Sequence, residues 1–121
     1  MVLHESGEMY LKTILVLSDR LPVVRAVDIT EELQISKPSV SRALQNLEHD
    51  EYIKVDKRKY ITLTPKGMKI ASKVYEKHEV LTSILMRLGV NAETAKDDAC
   101  KIEHDISSES FDAIKKYFDY L

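Results

Sequence analysis

The sequence is poor in the residues that cross-link or interrupt a polypeptide chain. Its 121 residues contain one cysteine, three glycines and three prolines, and they contain no tryptophan. The single cysteine, Cys100, excludes an internal disulfide and fits a reducing compartment, so we expect a cytoplasmic protein. Because glycine and proline are the usual helix breakers, their scarcity predicts a compact and mainly helical chain.

Long apolar runs are missing as well. No stretch reaches the roughly 18 uncharged apolar residues that a membrane-spanning helix requires. The first ten residues, MVLHESGEMY, lack the basic and then apolar segments of a secretory signal. We therefore expect no membrane partner. The proportions of hydrophobic residues, 44%, and charged residues, 31%, are typical of a folded globular chain.

The net charge of −2 gives no general attraction to nucleic acid, but the charges are unevenly distributed. Six lysines and arginines lie between residues 37 and 59, whereas residues 93–121 contain eight acids and four lysines. A basic patch on an otherwise acidic protein still attracts a polyanion locally. An ordinary solvated surface is the alternative interpretation of such a patch.

The order of predicted elements is helix, short helix, turn, helix, hairpin and then three more helices. Apolar spacing predicts helices over 7–20 and 24–33, a third helix after Ser36, and strands over 52–55 and 60–63. Further helices are predicted from Pro65 to Gly89, over 92–106 and over 108–121. The fold class is thus mainly α with a small β-hairpin: a winged helix-turn-helix in residues 1–73 and a helical region in 74–121.

The third helix and the hairpin tip carry the candidate DNA contacts. Short polar side chains at the start of a helix let its backbone approach the major groove, and an arginine there can bind guanine bidentately. Lysines beside the groove would contact phosphates, which adds affinity without reading sequence. A protein-binding module with no DNA role is the alternative. The candidate residues are Lys37, Pro38, Ser39, Ser41 and Arg42 on the helix, and Lys57, Arg58 and Lys59 at the tip.

A second constellation lies near the C-terminus, where Cys100, Glu103 and His104 follow the spacing i, i+3, i+4. On a helix these side chains share one face, and together they offer three ligand types for a divalent first-row metal. From spacing alone, a buried cysteine beside a solvated Glu-His pair is the more common interpretation. A small metalloprotein or metalloenzyme is a further alternative, although it leaves the basic hairpin unexplained.

From Met9 to about Leu121, the chain resembles the diphtheria-toxin-repressor and manganese-transport-regulator family of metal-dependent transcriptional regulators. It resembles the short members that lack an SH3-like domain. The most specific part of the resemblance is the Cys-x-x-Glu-His motif. The segments that carry it are Glu8-Met9-Tyr10, Pro38-Ser39-Val40-Ser41, Leu63-Thr64-Pro65-Lys66-Gly67, His78-Glu79 and Cys100-x-x-Glu103-His104.

The resemblance implies a ligand set. Met9, Cys100, Glu103 and His104 match the primary site of the iron-type members, whereas manganese-type members place carboxylates where Met9 and Cys100 stand. Soft sulfur ligands agree with Fe(II) as the first expectation, with Mn(II), Co(II), Ni(II) or Zn(II) as alternatives. Lys12 stands where manganese-type members carry a carboxylate, and a cation there argues against the pair of metal ions that those members bind. His78 matches a second-site ligand, but its usual companions are replaced by Thr82 and Lys96, two residues that rarely bind metals.

The resemblance also implies the function. We expect a metal-dependent, Fe(II)-activated transcriptional regulator that represses metal-uptake genes and binds a palindromic operator in double-stranded DNA. It would be neither an enzyme nor a binder of a small-molecule substrate. A manganese-responsive regulator and a winged-helix protein with a non-functional metal site are the alternatives. A homodimer is expected through the C-terminal apolar residues Phe111, Ile114, Tyr117, Phe118 and Leu121.

Overall fold

The computed structural model describes residues 5–119, so the predicted dimer residue Leu121 lies outside the described part. The described residues form six helices and one antiparallel hairpin, which confirms the expected fold class. The helices are α1 (Glu5–Arg20), α2 (Ala26–Leu33), α3 (Lys37–His49), α4 (Pro65–Arg87), α5 (Ala92–Ile102) and α6 (Ser108–Asp119), and the strands are β1 (Ile53–Val55) and β2 (Ile61–Leu63). Within residues 5–119, no helix combines the length and the apolar character needed to cross a membrane.

The chain divides into two compact units, residues 1–72 and 73–121. In the first unit, α1, α2, α3 and the hairpin enclose one apolar core. Each helix contributes residues at spacings of three or four, so that one face is buried while the other remains in water. The fully or almost fully buried members of this core include Leu11, Ile14, Leu17, Ile29, Val40, Leu47, Ile53 and Ile61.

The hairpin forms a backbone hydrogen bond to a residue outside its two strands. Ile53 pairs with Leu63 and Val55 with Ile61, and the backbone N–H of Ile61 also donates to the carbonyl of Val24 at 2.8 Å. Val24 was expected to begin α2, but that helix begins at Ala26. The prediction failed because the apolar side chain of Val24 suited either structure, whereas its carbonyl accepts a bond from a strand far along the chain.

The second unit contains the last part of α4 together with α5 and α6. Leu81, Ala99 and Phe111 form its buried centre. Two lysines tie the elements together: Lys77 donates to the carbonyl of Ile106 at 3.3 Å, and Lys115 pairs with Glu76 at 2.9 Å. The Glu76 carboxylate raises the pKa of Lys115 through their hydrogen bond and their opposite charges.

The start of α4 packs very tightly against the hairpin. The hydroxyl of Thr64 accepts a bond from the Gly67 N–H at 3.1 Å and donates to the carbonyl of Glu51 at 2.7 Å. A Cβ atom added at Gly67 would overlap the carbonyl oxygen of Tyr52. That oxygen already accepts the N–H of Thr64, so it cannot easily move away. Gly67 is therefore required for close approach of two backbones.

We predict that Gly67→Ala destabilises the protein even though alanine favours helices. The added methyl group must push the Tyr52 carbonyl aside, and overpacking of this kind costs about 1–3 kcal/mol. Urea unfolding measures the effect, with Lys69→Ala as the control because Lys69 is exposed on the same helix. A Gly67→Ala protein with the unfolding midpoint of the wild type would contradict this account of the packing.

Candidate metal centre and nucleic-acid interface

Helix α3 begins with a well-formed cap. The Ser36 hydroxyl accepts the N–H of Ser39 at 3.4 Å, and the two serine hydroxyls lie 2.9 Å apart. Pro38 occupies the first turn, where its missing N–H costs nothing. Ser39 was expected to contact DNA, but its side chain is half-buried and belongs to the cap. The DNA contact of Ser39 stays a prediction, and it would require the Ser39 hydroxyl to give up its contact with Ser36.

The opposite faces of α3 have opposite characters. Val40, Leu44 and Leu47 are buried in the core, whereas the other face is exposed. That exposed face carries four of the predicted contact residues and also Gln45, which the sequence analysis overlooked. Glutamine can bind adenine bidentately, and the spacing of three residues from Arg42 was a readable signal. The exposed residues of this face are Lys37, Pro38, Ser41, Arg42 and Gln45.

The hairpin tip is a hydrogen-bonded turn with a basic surface. One carboxylate oxygen of Asp56 accepts the N–H groups of Arg58 and Tyr60, both at 2.9 Å. Lys59 has a positive φ of 68°, which closes the turn. Lys57, Arg58 and Lys59 are all exposed. The carboxylate of Asp56 thus accepts hydrogen bonds from the backbone of the turn, while the three cations are exposed to water.

A further cation stands beside the hairpin. The guanidinium of Arg25 lies 5.0 Å from the ring centroid of Tyr60 and donates to its hydroxyl at 3.3 Å. Arg25 is not among the residues predicted from the sequence, because only the fold brings it next to a residue 35 positions later. Arg25 therefore adds an exposed cation beside the basic hairpin.

A buried carboxylate organises the second unit. The side chain of Glu103 has no exposed surface and lies between two imidazoles. Its Oε2 is 2.8 Å from Nδ1 of His78, and its Oε1 is 3.3 Å from Nε2 of His104. Burying a carboxylate is costly unless hydrogen-bonding or charged partners surround it, and both imidazoles serve that purpose.

Cys100 completes a three-residue group with His78 and Glu103. Its Sγ lies 3.6 Å from the same Nδ1, and the ligand atoms of the three residues all lie within 4.8 Å of one another. Ligand atoms bound to one ion at about 2.0–2.3 Å lie no more than about 4.6 Å apart. The three side chains therefore fit a transition metal after small adjustments. A thiolate, an imidazole and a carboxylate form a donor set for first-row metals.

The local structure explains this grouping. Helix α5 ends at Ile102 and does not continue to residue 106 as expected, because the chain turns at residues 103–105 to reach α6. Glu103 keeps helical angles and donates its N–H to Ala99, so it remains one turn from Cys100. His78 comes from α4. The sequence assigned His78 to a separate second site, whereas the structure places it beside Cys100 and Glu103.

The other predicted ligands have different surroundings. Nε2 of His104 lies 3.3 Å from Oε1 of Glu103, and the His104 side chain is 2% exposed. Met9 is half-buried on α1 in the first unit, and its carbonyl accepts the hydroxyl of Thr13 at 2.8 Å. Both remain proposed ligands.

An exposed basic helix, a basic hairpin and a His-Cys-Glu group define a class: winged-helix DNA-binding proteins with a metal-binding helical region. Residues 2–61 match the family described as "Iron dependent repressor, N-terminal DNA binding domain". Residues 64–121 match "Iron dependent repressor, metal binding and dimerisation domain". The chain belongs to this family of metal-dependent transcriptional repressors, whose members bind DNA and dimerise through the C-terminal domain.

Individual relatives agree with the family. The chain is 36% identical over 116 residues to the HTH-type transcriptional regulator MntR of Geobacillus thermodenitrificans, covering 96% of this chain and 82% of the relative. It is 38% identical over 109 residues to MntR of Bacillus pumilus, covering 90% and 76%. The solved structure of the manganese regulator SloR is 30% identical with a TM-score of 0.84, covering all of this chain and 56% of SloR.

We predict that His78→Ala weakens the binding of Mn(II) and Co(II) by tenfold or more. The substitution removes the imidazole whose Nδ1 contacts both Cys100 and Glu103. Isothermal titration of the chelator-treated protein measures this change. His49→Ala is the matched control, because its side chain is 89% exposed on α3. Equal affinities of the two variants would remove His78 from the ligand set.

Proposed function

We propose that this chain is a repressor whose affinity for operator DNA is raised by a divalent metal bound at His78, Cys100 and Glu103. The observation that carries the proposal is the grouping of these three side chains within 4.8 Å. They come from two helices, so an ion that binds all three fixes α4 against α5. His104 and, on the resemblance alone, Met9 are proposed as further ligands. The role is regulation and not catalysis.

The proposed switch acts through α4. This helix contains His78, and its first residue, Pro65, follows directly after the hairpin. A metal that prefers the arrangement of α4 competent for DNA binding shifts the population towards it. A hundredfold preference for that arrangement would supply about 2.7 kcal/mol, which is enough to change operator occupancy.

Fe(II) is the first proposed metal. Cys100 supplies a thiolate, and soft sulfur ligands favour Fe(II), Co(II), Ni(II) or Zn(II) over Mn(II). Mn(II) is the second candidate, because SloR is named as a manganese regulator and is 30% identical to this chain. Which ion is used in the cell depends on availability as well as on affinity.

The proposed operator is a palindrome in double-stranded DNA. A symmetric dimer presents two copies of α3, and such dimers bind half-sites separated by about 34 Å or a multiple of one helical turn. Arg42, Ser41 and Gln45 would contact base edges, while Lys37 and the cations of the hairpin tip would contact phosphates. The target genes would be those of metal uptake.

The function is tested by anaerobic DNA binding with Fe(II), Mn(II), Co(II), Zn(II) or chelator in parallel. The probe is a duplex that the protein itself selects from a random pool with metal present. We expect at least tenfold tighter binding with the cognate ion than with chelator. Equal binding with chelator would refute metal control, and equal binding to the random pool would refute sequence recognition.

The two basic surfaces predict different mutant behaviour. Arg42→Ala should weaken binding to the selected duplex more than binding to random DNA, because a lost guanine contact costs about 1–3 kcal/mol of discrimination. Lys57→Ala should weaken both equally and should reduce the slope of log K against log salt by about 1. A fluorescence-anisotropy salt titration measures both quantities, and a uniform loss for Arg42→Ala would place it on phosphate.

A further inference from the structure

The carbonyl groups that follow α3 accept hydrogen bonds from residues at the start of α4. The ammonium of Lys66 donates to the carbonyl of Asp50 at 3.0 Å, and the hydroxyl of Thr64 donates to the carbonyl of Glu51 at 2.7 Å. The backbone N–H of Thr64 donates to the carbonyl of Tyr52 at 3.1 Å. These bonds, between residues 50–52 and the pair Thr64 and Lys66, form what we call the α3–α4 junction.

Lys66 contacts the end of α3 at two points. Asp50 directly follows the last residue of the helix, so its carbonyl lies at the negative end of the helix dipole, where a cation binds favourably. The same ammonium lies 4.3 Å from the centroid of the Tyr52 ring. Tyr52 is buried, and its N–H donates to the carbonyl of Leu47, a core residue of α3, at 2.9 Å. Lys66 therefore binds a carbonyl and a ring that are both attached to α3.

The junction joins two helices that have different proposed roles. Helix α4 runs without a break from Pro65 to Arg87 and includes His78, a proposed metal ligand, whereas α3 carries the proposed base contacts. Along the backbone, the route between the two helices passes through both strands and the basic tip. The bonds of the junction provide a shorter route. A shift in the first turn of α4 would therefore move the end of α3 with it.

We propose that Lys66 is a positioning residue that couples the arrangement of α4 to that of α3, and so links metal binding to DNA binding. The inference rests on the proposed metal switch. Lys66 is neither a proposed metal ligand nor a proposed DNA contact, so its loss should change the coupling between the two sites. Thr64 is less suited to this test, because its hydroxyl also accepts the N–H of Gly67 within the first turn of α4.

The first test measures how much metal raises the affinity of the full chain for the metal-selected duplex. Fluorescence anisotropy is recorded anaerobically with Fe(II), with Mn(II) and with chelator. Lys66→Met removes the ammonium and keeps an unbranched side chain. It should lower the ratio of affinities, with metal over chelator, by about threefold or more. Lys66→Arg should keep the wild-type ratio, because a guanidinium can donate to the carbonyl and stack on the ring.

The matched control is Lys69→Met, which removes the same charge from an exposed position on the same helix and should keep the wild-type ratio. With chelator, Lys66→Met should bind the duplex no more weakly than Lys69→Met does. Urea unfolding of both variants measures any loss of stability. Comparison of these two variants therefore separates the junction from the general effect of a positive charge near DNA.

The second test uses the reciprocity of coupled binding. If metal raises the affinity for DNA by some factor, DNA must raise the affinity for metal by the same factor. Calorimetry without DNA should give Lys66→Met the metal affinity of the wild type. With the duplex present, the metal affinity of the variant should rise less than that of the wild type. A purely structural role for Lys66 would not change this difference.

The outcomes separate this inference from the proposed function. A wild-type chain whose DNA binding does not respond to metal would refute the metal switch and this inference together. A metal-responsive wild type with an unchanged ratio in Lys66→Met would overturn this inference alone. An equal loss of DNA affinity with metal and with chelator in Lys66→Met would also overturn it, because that result indicates a phosphate contact or a general loss of structure.

Discussion

The constraint on which the candidate metal site depends is the burial of the Glu103 carboxylate. Its side chain has no exposed surface, and it contacts an imidazole on each side, at 2.8 and 3.3 Å. Removing such a group from water is unfavourable unless charge or hydrogen bonds compensate it. A divalent cation bound beside this carboxylate would supply the opposite charge directly. This buried carboxylate is therefore the group through which the proposed metal switch would act.

The end of α5, its small buried residues and the position of His78 together place this carboxylate among its partners. Helix α5 stops one residue before Glu103, and the retained bond from its N–H to Ala99 keeps it in register with Cys100. Small residues are buried on the inner face of α5, at Ala95 and Ala99, so the helix lies close to its neighbours. His78 comes from the middle of α4. The group thus draws on two helices, which allows an ion to order both.

Sequence reasoning found the elements whose signals are local. The cap at Ser36, the proline after Thr64 and the alternating strands identified α3, α4 and the hairpin to within two residues. It failed where the decisive contact is long-range. Val24 joins the hairpin through its carbonyl, Arg25 meets Tyr60, and His78 meets a helix more than twenty residues away. Spacing on one helix indicated Cys100 and Glu103 but carried no information about which residue of α4 faces them.

The central claim is that Cys100, Glu103 and His78 bind one ion together. Cobalt(II) titration of the chelator-treated protein tests it most directly, because a thiolate bound to Co(II) gives a near-ultraviolet charge-transfer band. The account predicts a band that saturates at one Co(II) per chain, is absent in Cys100→Ser and is shifted to higher cobalt concentration in Glu103→Gln. Saturable cobalt binding without a sulfur band in the wild type would contradict it.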